Sequence, residues 1–222
     1  ELGVFLDDGH DLLPELLGRS TSLPVLPGED GLALAPDTVV VVKDANLTIA
    51  DGKLKQLQPA ESREITHHSI DAFFRRLAAD QREAAIAVVL SGSGNDGMLG
   101  IKDVKAAGGM VMVQDPDTAK YPGMPGSAAD TGLADFVLPP GRLPAALLEY
   151  CRGPYLAPDR DGMDAPLAED VVHTILVRLR QHTGRDFTQY KRSTMSRRIR
   201  RRMAVHQVHD PQEYLDLLRE KP

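Results

Sequence analysis

The chain has one cysteine, Cys151, no tryptophan and only 5% aromatic residues. A lone thiol excludes an internal disulfide framework and a multi-cysteine metal cage, so Cys151 reads as a small buried or half-buried residue and no metal site is expected. Long hydrophobic runs are missing too. No apolar stretch approaches the roughly 18 residues that a membrane helix needs, and no signal peptide opens the chain. Membrane insertion is therefore not expected, and a cytoplasmic location is. There is no internal repeat or low-complexity tract. There is also no initiating methionine: the chain starts at Glu1 and stops at Pro222 soon after a helical pattern begins, which reads as a fragment.

Against these absences stand 222 residues, 42% hydrophobic and 26% charged, the profile of a globular protein with one ordinary domain and a smaller unit. Charge is unevenly placed. Residues 168–222 carry 12 Lys/Arg against 7 Asp/Glu, a net of +5, while the whole chain is −6 and residues 1–167 carry −11. A change of sign on that scale suggests two units with different partners.

Pro154–Pro166 (PYLAPDRDGMDAP) is rich in Pro, Asp and Gly without apolar periodicity and reads as a linker. The division expected is 1–153, a linker over 154–168, and 169–222. Before the linker, apolar runs alternate with helical patterns. Leu12–Leu17 looks like the end of an amphipathic helix, and Thr38–Val42 is a β-branched run. Asn46–Ile49 and Lys53–Leu57 flank Ala50-Asp51-Gly52 as a hairpin. Ser69 is expected to cap a helix through Ala79. Ala85–Leu90 reads as a strand buried on both faces, followed by a helix from about Gly97 to Ala107 that Gly108-Gly109 stops. Met110–Val113 and Phe136–Leu138 read as further strands, and Pro144–Cys151 as a closing helix. This repetition predicts an α/β class: a doubly wound, mostly parallel sheet with an inserted β-hairpin, followed by a small all-α subdomain. The subdomain's helices are expected at Val171–Gln181, Ser193–Val205 and from Asp210-Pro211 onward.

The most informative stretch is Ala85–Gln114, a strand, a Gly-rich turn, a helix and a strand, which places functional groups at the carboxyl edge of a parallel sheet. Gly92, Gly94 and Gly97 spell G-x-G-x-x-G, with Asp115 18 residues after Gly97, so a dinucleotide-binding turn is one reading. Asp96 opposes it, because a carboxylate would sit where the pyrophosphate must bind. Two other readings start from Asp96. It can fix an imidazole in one tautomer, the third-member role of a Ser-His-Asp triad, or it can cap the following helix.

The motifs around it carry a resemblance. Leu90–Gly97 (LSGSGNDG), Lys105–Gly109, Gln114-Asp115, Gly123–Ala128 and Val137–Pro139 match in order the L-[TS]-G-x-G-x-D-G, K-x-x-G-G, Q-D, G-M-P-x-[SA]-A and V-L-P elements of chemotaxis methylesterases. Ser69–Ala79 and Glu29-Asp30-Gly31 resemble that family's preceding helix and acidic turn. The resemblance to CheB-type methylesterases implies hydrolysis of γ-glutamyl methyl esters on chemoreceptors, with glutamine deamidation, by a Ser-His-Asp mechanism and with no cofactor. It places the aspartate at Asp96. The family's serine lies in a G-x-S-x-G-G turn that does not occur here. Its Q-H pair would fall at Gly3-Val4 by ungapped counting from Leu17, with His10 nearby but off register. His67 and His68 read as surface residues. The chain alone is therefore expected to lack esterase activity.

The basic tail can be a solvated helix or a nucleic-acid surface; it has no aromatic stacking platform, and the chain as a whole is acidic. Its sequence resembles the amino-terminal helical subdomain of CheR-type receptor methyltransferases, matched at Thr183–Lys191 and Arg197–Arg202. That likeness implies contact with acidic receptor helices through Arg197, Arg200 and Arg201, and no nucleic acid. S-adenosylmethionine is expected only in a methyltransferase domain that would follow Pro222. The combined expectation is a methylesterase joined to a methyltransferase. The alternatives are a non-catalytic receptor-docking module and a dinucleotide-binding domain.

Overall fold

The computed structural model describes residues 2–6, 12–43, 46–58, 68–152, 167–187, 190–206, 208 and 210–220. Tertiary contacts divide the chain into two compact units, Glu1–Gly141 and Arg142–Pro222. His10, His67 and the stretch 154–166 lie outside the described residues.

The first unit is α/β. Strands β1 (Leu2–Leu6), β2 (Val25–Pro27) and β3 (Thr38–Val42) form a parallel sheet in the order β1-β3-β2. Helix α1 (Leu13–Ser20) begins where the sequence pattern suggested a helix end, and a strand rather than a longer helix precedes it. Pro14 supplies the reason: lacking an N–H, it suits a first helical turn and blocks an interior one. The inserted hairpin is present as antiparallel β4 (Leu47–Ala50) and β5 (Lys53–Gln56). It is tied back by Asp30, whose carboxylate accepts the Gln56 N–H at 2.7 Å.

Helix α2 (Ser69–Gln81) buries Phe73, Phe74 and Ala78. A second parallel sheet follows in the order β6-β7-β8, from Ile86–Val89, Met110–Gln114 and Phe136–Leu138. Helix α3 (Gly100–Ala106) crosses from β6 to β7, and α4 (Gly123–Asp130) lies between β7 and β8. Strand β7 is buried at every residue, as its unbroken apolar run predicts. Strand β6 is not. Ala87 and Val89 enter the core, while Val88 is 36% and Leu90 41% exposed. A continuous apolar run identifies a strand but does not say what covers each face.

The core joins Val40, Leu54, Phe73, Phe74, Ile101, Val104, Val111 and Val113. Ile101 and Val104 have no exposed surface, which puts truncation of Ile101 to alanine in the range of about 2–5 kcal/mol.

The second unit is helical: α5 (Leu143–Arg152), α6 (Glu169–Thr183), α7 (Arg192–Val205) and α8 (Pro211–Glu220). Gly184 closes α6, and Asp210 caps α8 by accepting the Gln212 N–H at 2.8 Å. Val172, Ile175, Ile199, Met203, Tyr214 and Leu215 form its core.

Candidate active site

Strand β6 ends in the turn Leu90–Leu99, and α3 starts immediately afterward. Gly97 takes a φ of +90°, a conformation that a side chain would strain. It bends the chain so that the Asp96 carboxylate points toward the start of α2. Asp96 Oδ2 accepts the Ile70 N–H at 3.0 Å, and Oδ1 accepts those of Asp71 at 2.9 Å and Gly97 at 2.8 Å. The expected cap by Ser69 is not formed: His68 is the N-cap residue, without a side-chain cap bond, and Ser69 lies inside the first turn. The orphan amides of α2 are satisfied by a carboxylate from a turn 25 and 26 residues away.

Asp71 returns the arrangement. Its side chain is buried, and Oδ1 accepts the Gly100 N–H at the start of α3 at 2.6 Å. Gly100 allows this approach, because a Cβ there would lie 2.9 Å from the Asp71 carbonyl oxygen and 2.6 Å from Phe74 Cβ. Arg75 Nε adds a 3.2 Å bond to Asp103 between the same two helices. Burial pushes the Asp71 carboxyl above the usual carboxylate range. The negative Asp96 adds to that rise, against the lowering effect of the Gly100 and Leu99 amides and of His68.

These bonds bear on the dinucleotide reading. A bound pyrophosphate needs free amides at the helix start, but the Gly100 N–H is held by Asp71 and the Gly97 N–H by Asp96. Asp115, the residue that reading would place on a ribose, accepts the Asp117 N–H of its own turn.

His68 completes the cluster and was not singled out by sequence. Its side chain is half-exposed, as expected of a surface residue, yet Nδ1 lies 3.6 Å from Asp71 Oδ2 and 4.0 Å from Asp96 Oδ1. The signal that could have found it is its place one residue before a helix whose first amides require a carboxylate. One ligand atom from each of His68, Asp71 and Asp96 falls within 4.8 Å of the others. Within this cluster both Asp96 oxygens and Asp71 Oδ1 accept N–H groups, and Asp71 Oδ2 is the carboxylate oxygen nearest His68 Nδ1.

The neighbouring motif residues hold the turn in place. Gln114 is buried; its Oε1 accepts the Ser91 N–H at 2.9 Å, and its Nε2 donates to the Thr118 carbonyl at 3.1 Å. Ser91 Oγ accepts the Tyr121 N–H at 3.0 Å, and Ser93 is exposed. The Gly92 N–H donates to Tyr121 O, and the Met124 N–H to Gly92 O, both at 2.9 Å, fixing the start of α4 beside the turn.

In the helical unit, Arg197 lies on α7, Arg200 and Arg201 on the same helix are half-buried, and Arg198 and Arg202 are exposed. The Arg201 guanidinium stands 5.9 Å from the ring centre of Tyr150 on α5, within cation–π range.

Residues 7–147 match the family model of the CheB methylesterase. The chain belongs to the CheB methylesterase family. Residues 172–222 match the model of the all-alpha domain of CheR methyltransferases. The catalytic domain of the CheB methylesterase of Thermotoga maritima superposes with a TM-score of 0.57 at 30% sequence identity, covering 66% of this chain and 82% of that one. A 104.1 kDa protein in the hypE 3′ region of Rhodobacter capsulatus is 37% identical over 227 residues, covering 93% of this chain and 24% of that protein. Protein-glutamate methylesterase/protein-glutamine glutaminase 3 of Anaeromyxobacter dehalogenans (strain 2CP-C) is 36% identical over 138 residues, or 61% of this chain and 40% of that protein. The chain thus spans less than half the length of these two curated relatives. Among the described residues, no helix is long and apolar enough to cross a membrane.

Proposed function

We propose that this chain is part of a cytoplasmic chemotaxis adaptation protein that removes methyl esters from receptor glutamates and deamidates receptor glutamines. In this reading its CheB portion is joined to a receptor methyltransferase. The observation that carries the reading is the order of the two family matches, CheB over 7–147 and the CheR all-alpha domain over 172–222.

In this reading Asp96 orients a histidine, and the α2 amides that it accepts hold its carboxylate in place for that purpose. The sequence contains no G-x-S-x-G-G turn, so the covalent serine route is not expected from these residues alone. S-adenosylmethionine belongs with the domain that performs methyl transfer, not with the helices of 169–222. The basic helix α7 is the receptor contact, its arginines meeting acidic methylation helices.

Binding of the chain to a receptor cytoplasmic fragment tests this. Replacing Arg197, Arg200 and Arg201 by Glu is expected to abolish a salt-sensitive interaction. Because Arg200 and Arg201 are half-buried, Arg198→Glu on the exposed side serves as a second variant and is expected to weaken it. Unchanged affinity in both overturns the docking assignment.

A further inference from the structure

In the methylesterase reading Asp96 is the orienting carboxylate, and the imidazole nearest it among the described residues belongs to His68. Nδ1 of His68 points at two carboxylates, 3.6 Å from Asp71 Oδ2 and 4.0 Å from Asp96 Oδ1. Nδ1 is the imidazole nitrogen on the side of the acids, and Nε2 is the nitrogen left for a substrate. Nε2 is across the ring and so faces away from the acids, and the side chain is half-exposed. Asp96 itself is only 19% exposed and is locked by three backbone amides, so it cannot swing away from the ring. Asp71 is locked by the Gly100 amide. Fixed acids beside one imidazole nitrogen and an open nitrogen across the ring are the arrangement of an oriented base. The distances are longer than a closed hydrogen bond, as is common before a substrate is bound.

We propose that His68 is a general base for ester hydrolysis in this chain, with Asp96 and Asp71 as its positioning residues. This rests on the methylesterase reading for its substrate class, a carboxylic ester, and departs from the family pattern in the histidine used. With water as nucleophile the step balances. Nε2 takes a proton from water as the water oxygen bonds to the ester carbonyl carbon. The tetrahedral intermediate then collapses with cleavage of the bond to the alkoxy oxygen. The imidazolium returns the proton to that oxygen, releasing the alcohol and leaving the carboxylic acid.

The experiment uses the full 222-residue chain with p-nitrophenyl acetate as the probe ester. His68→Gln, at a half-exposed position, is expected to keep the melting temperature and to lower the protein-dependent rate about tenfold or more, at the low end of what a positioned base contributes. The wild-type rate is expected to fall in deuterium oxide. Diethyl pyrocarbonate, with peptide mapping, is expected to label His68 ahead of the exposed His173 and His182, and to lose that preference in Asp96→Asn. No protein-dependent rate, a rate unchanged in His68→Gln, or no solvent isotope effect overturns the proposal. The probe contains no receptor element, so these outcomes are independent of the docking experiment. Failure of the base leaves receptor binding intact, and failure of docking leaves probe hydrolysis intact.

Discussion

Lys105 Nζ lies 2.6 and 2.7 Å from the two carboxylate oxygens of Asp135, and the Asp135 side chain is only 1% exposed. The same carboxylate accepts the Val111 N–H at 3.0 Å, so one buried anion ties α3, β7 and the start of β8 together. Lys105 is the lysine of the K-x-x-G-G motif, and its work is structural.

Removing the cation takes the Lys105 ion pair away from that buried carboxylate. Lys105→Met is expected to cost about 3–5 kcal/mol, read as a lowered urea midpoint with unchanged slope. Adding Asp135→Asn in the same chain is expected to recover part of the loss. A double variant no more stable than the single one contradicts the pairing.

The raised Asp71 carboxyl makes a prediction about pH. The folded state holds that proton at a higher pH than the unfolded chain does. Between the ordinary carboxylate pKa and the raised folded one, the native state binds more protons, so stability falls as pH rises through that window and is level above it. Asp71→Asn retains an oxygen for the Gly100 N–H and removes the titration. Denaturation at about pH 4 and about pH 7 is expected to show Asp71→Asn gaining on the parent toward the higher pH. Parallel profiles count against the assignment.

Two glycines should respond oppositely to alanine. At Gly100 the added Cβ meets the Asp71 carbonyl and Phe74, a clash expected to cost about 1–3 kcal/mol. At Gly126, inside α4, nothing lies within 4 Å of the added atom, and Gly126→Ala is expected to stabilise by about 0.4–1 kcal/mol. Thermal melts of the two variants check both signs.

Gln114 is a further test of the turn. Gln114→Ala removes the acceptor of the Ser91 N–H and the donor to Thr118. A destabilisation of about 1–3 kcal/mol is expected, with faster amide exchange at Ser91.

Much of the architecture was legible because it is local. The Phe73-Phe74 face of α2, the Asp51-Gly52 hairpin, the apolar run of β7 and the Gly184 stop each follow from neighbouring residues. Pro14 marked a helix start, and reading the pattern without it took Leu12–Leu17 as the end of a helix rather than its beginning. The exposure of Val88 depends on what lies over β6, which periodicity does not encode. At the site, Asp96 was singled out by its glycine-flanked turn and by the family resemblance. Its partners were not, because the amides it accepts belong to Ile70 and Asp71, remote in sequence. His68 was hidden for the same reason: a histidine before a helix has no chemical meaning until the opposing acids are known.

The exchange of carboxylates between α2 and α3 also bears on how the unit opens. The first amides of α2 wait for Asp96, and the first amide of α3 waits for Asp71, 29 residues earlier. Neither helix start can be completed by local propagation, so each remains frayed until the other segment arrives. Ile70, Asp71 and Gly100 thus form one cooperative opening unit. Their amide protons are expected to exchange together, as a single latch between two segments that the chain joins only through the intervening strand.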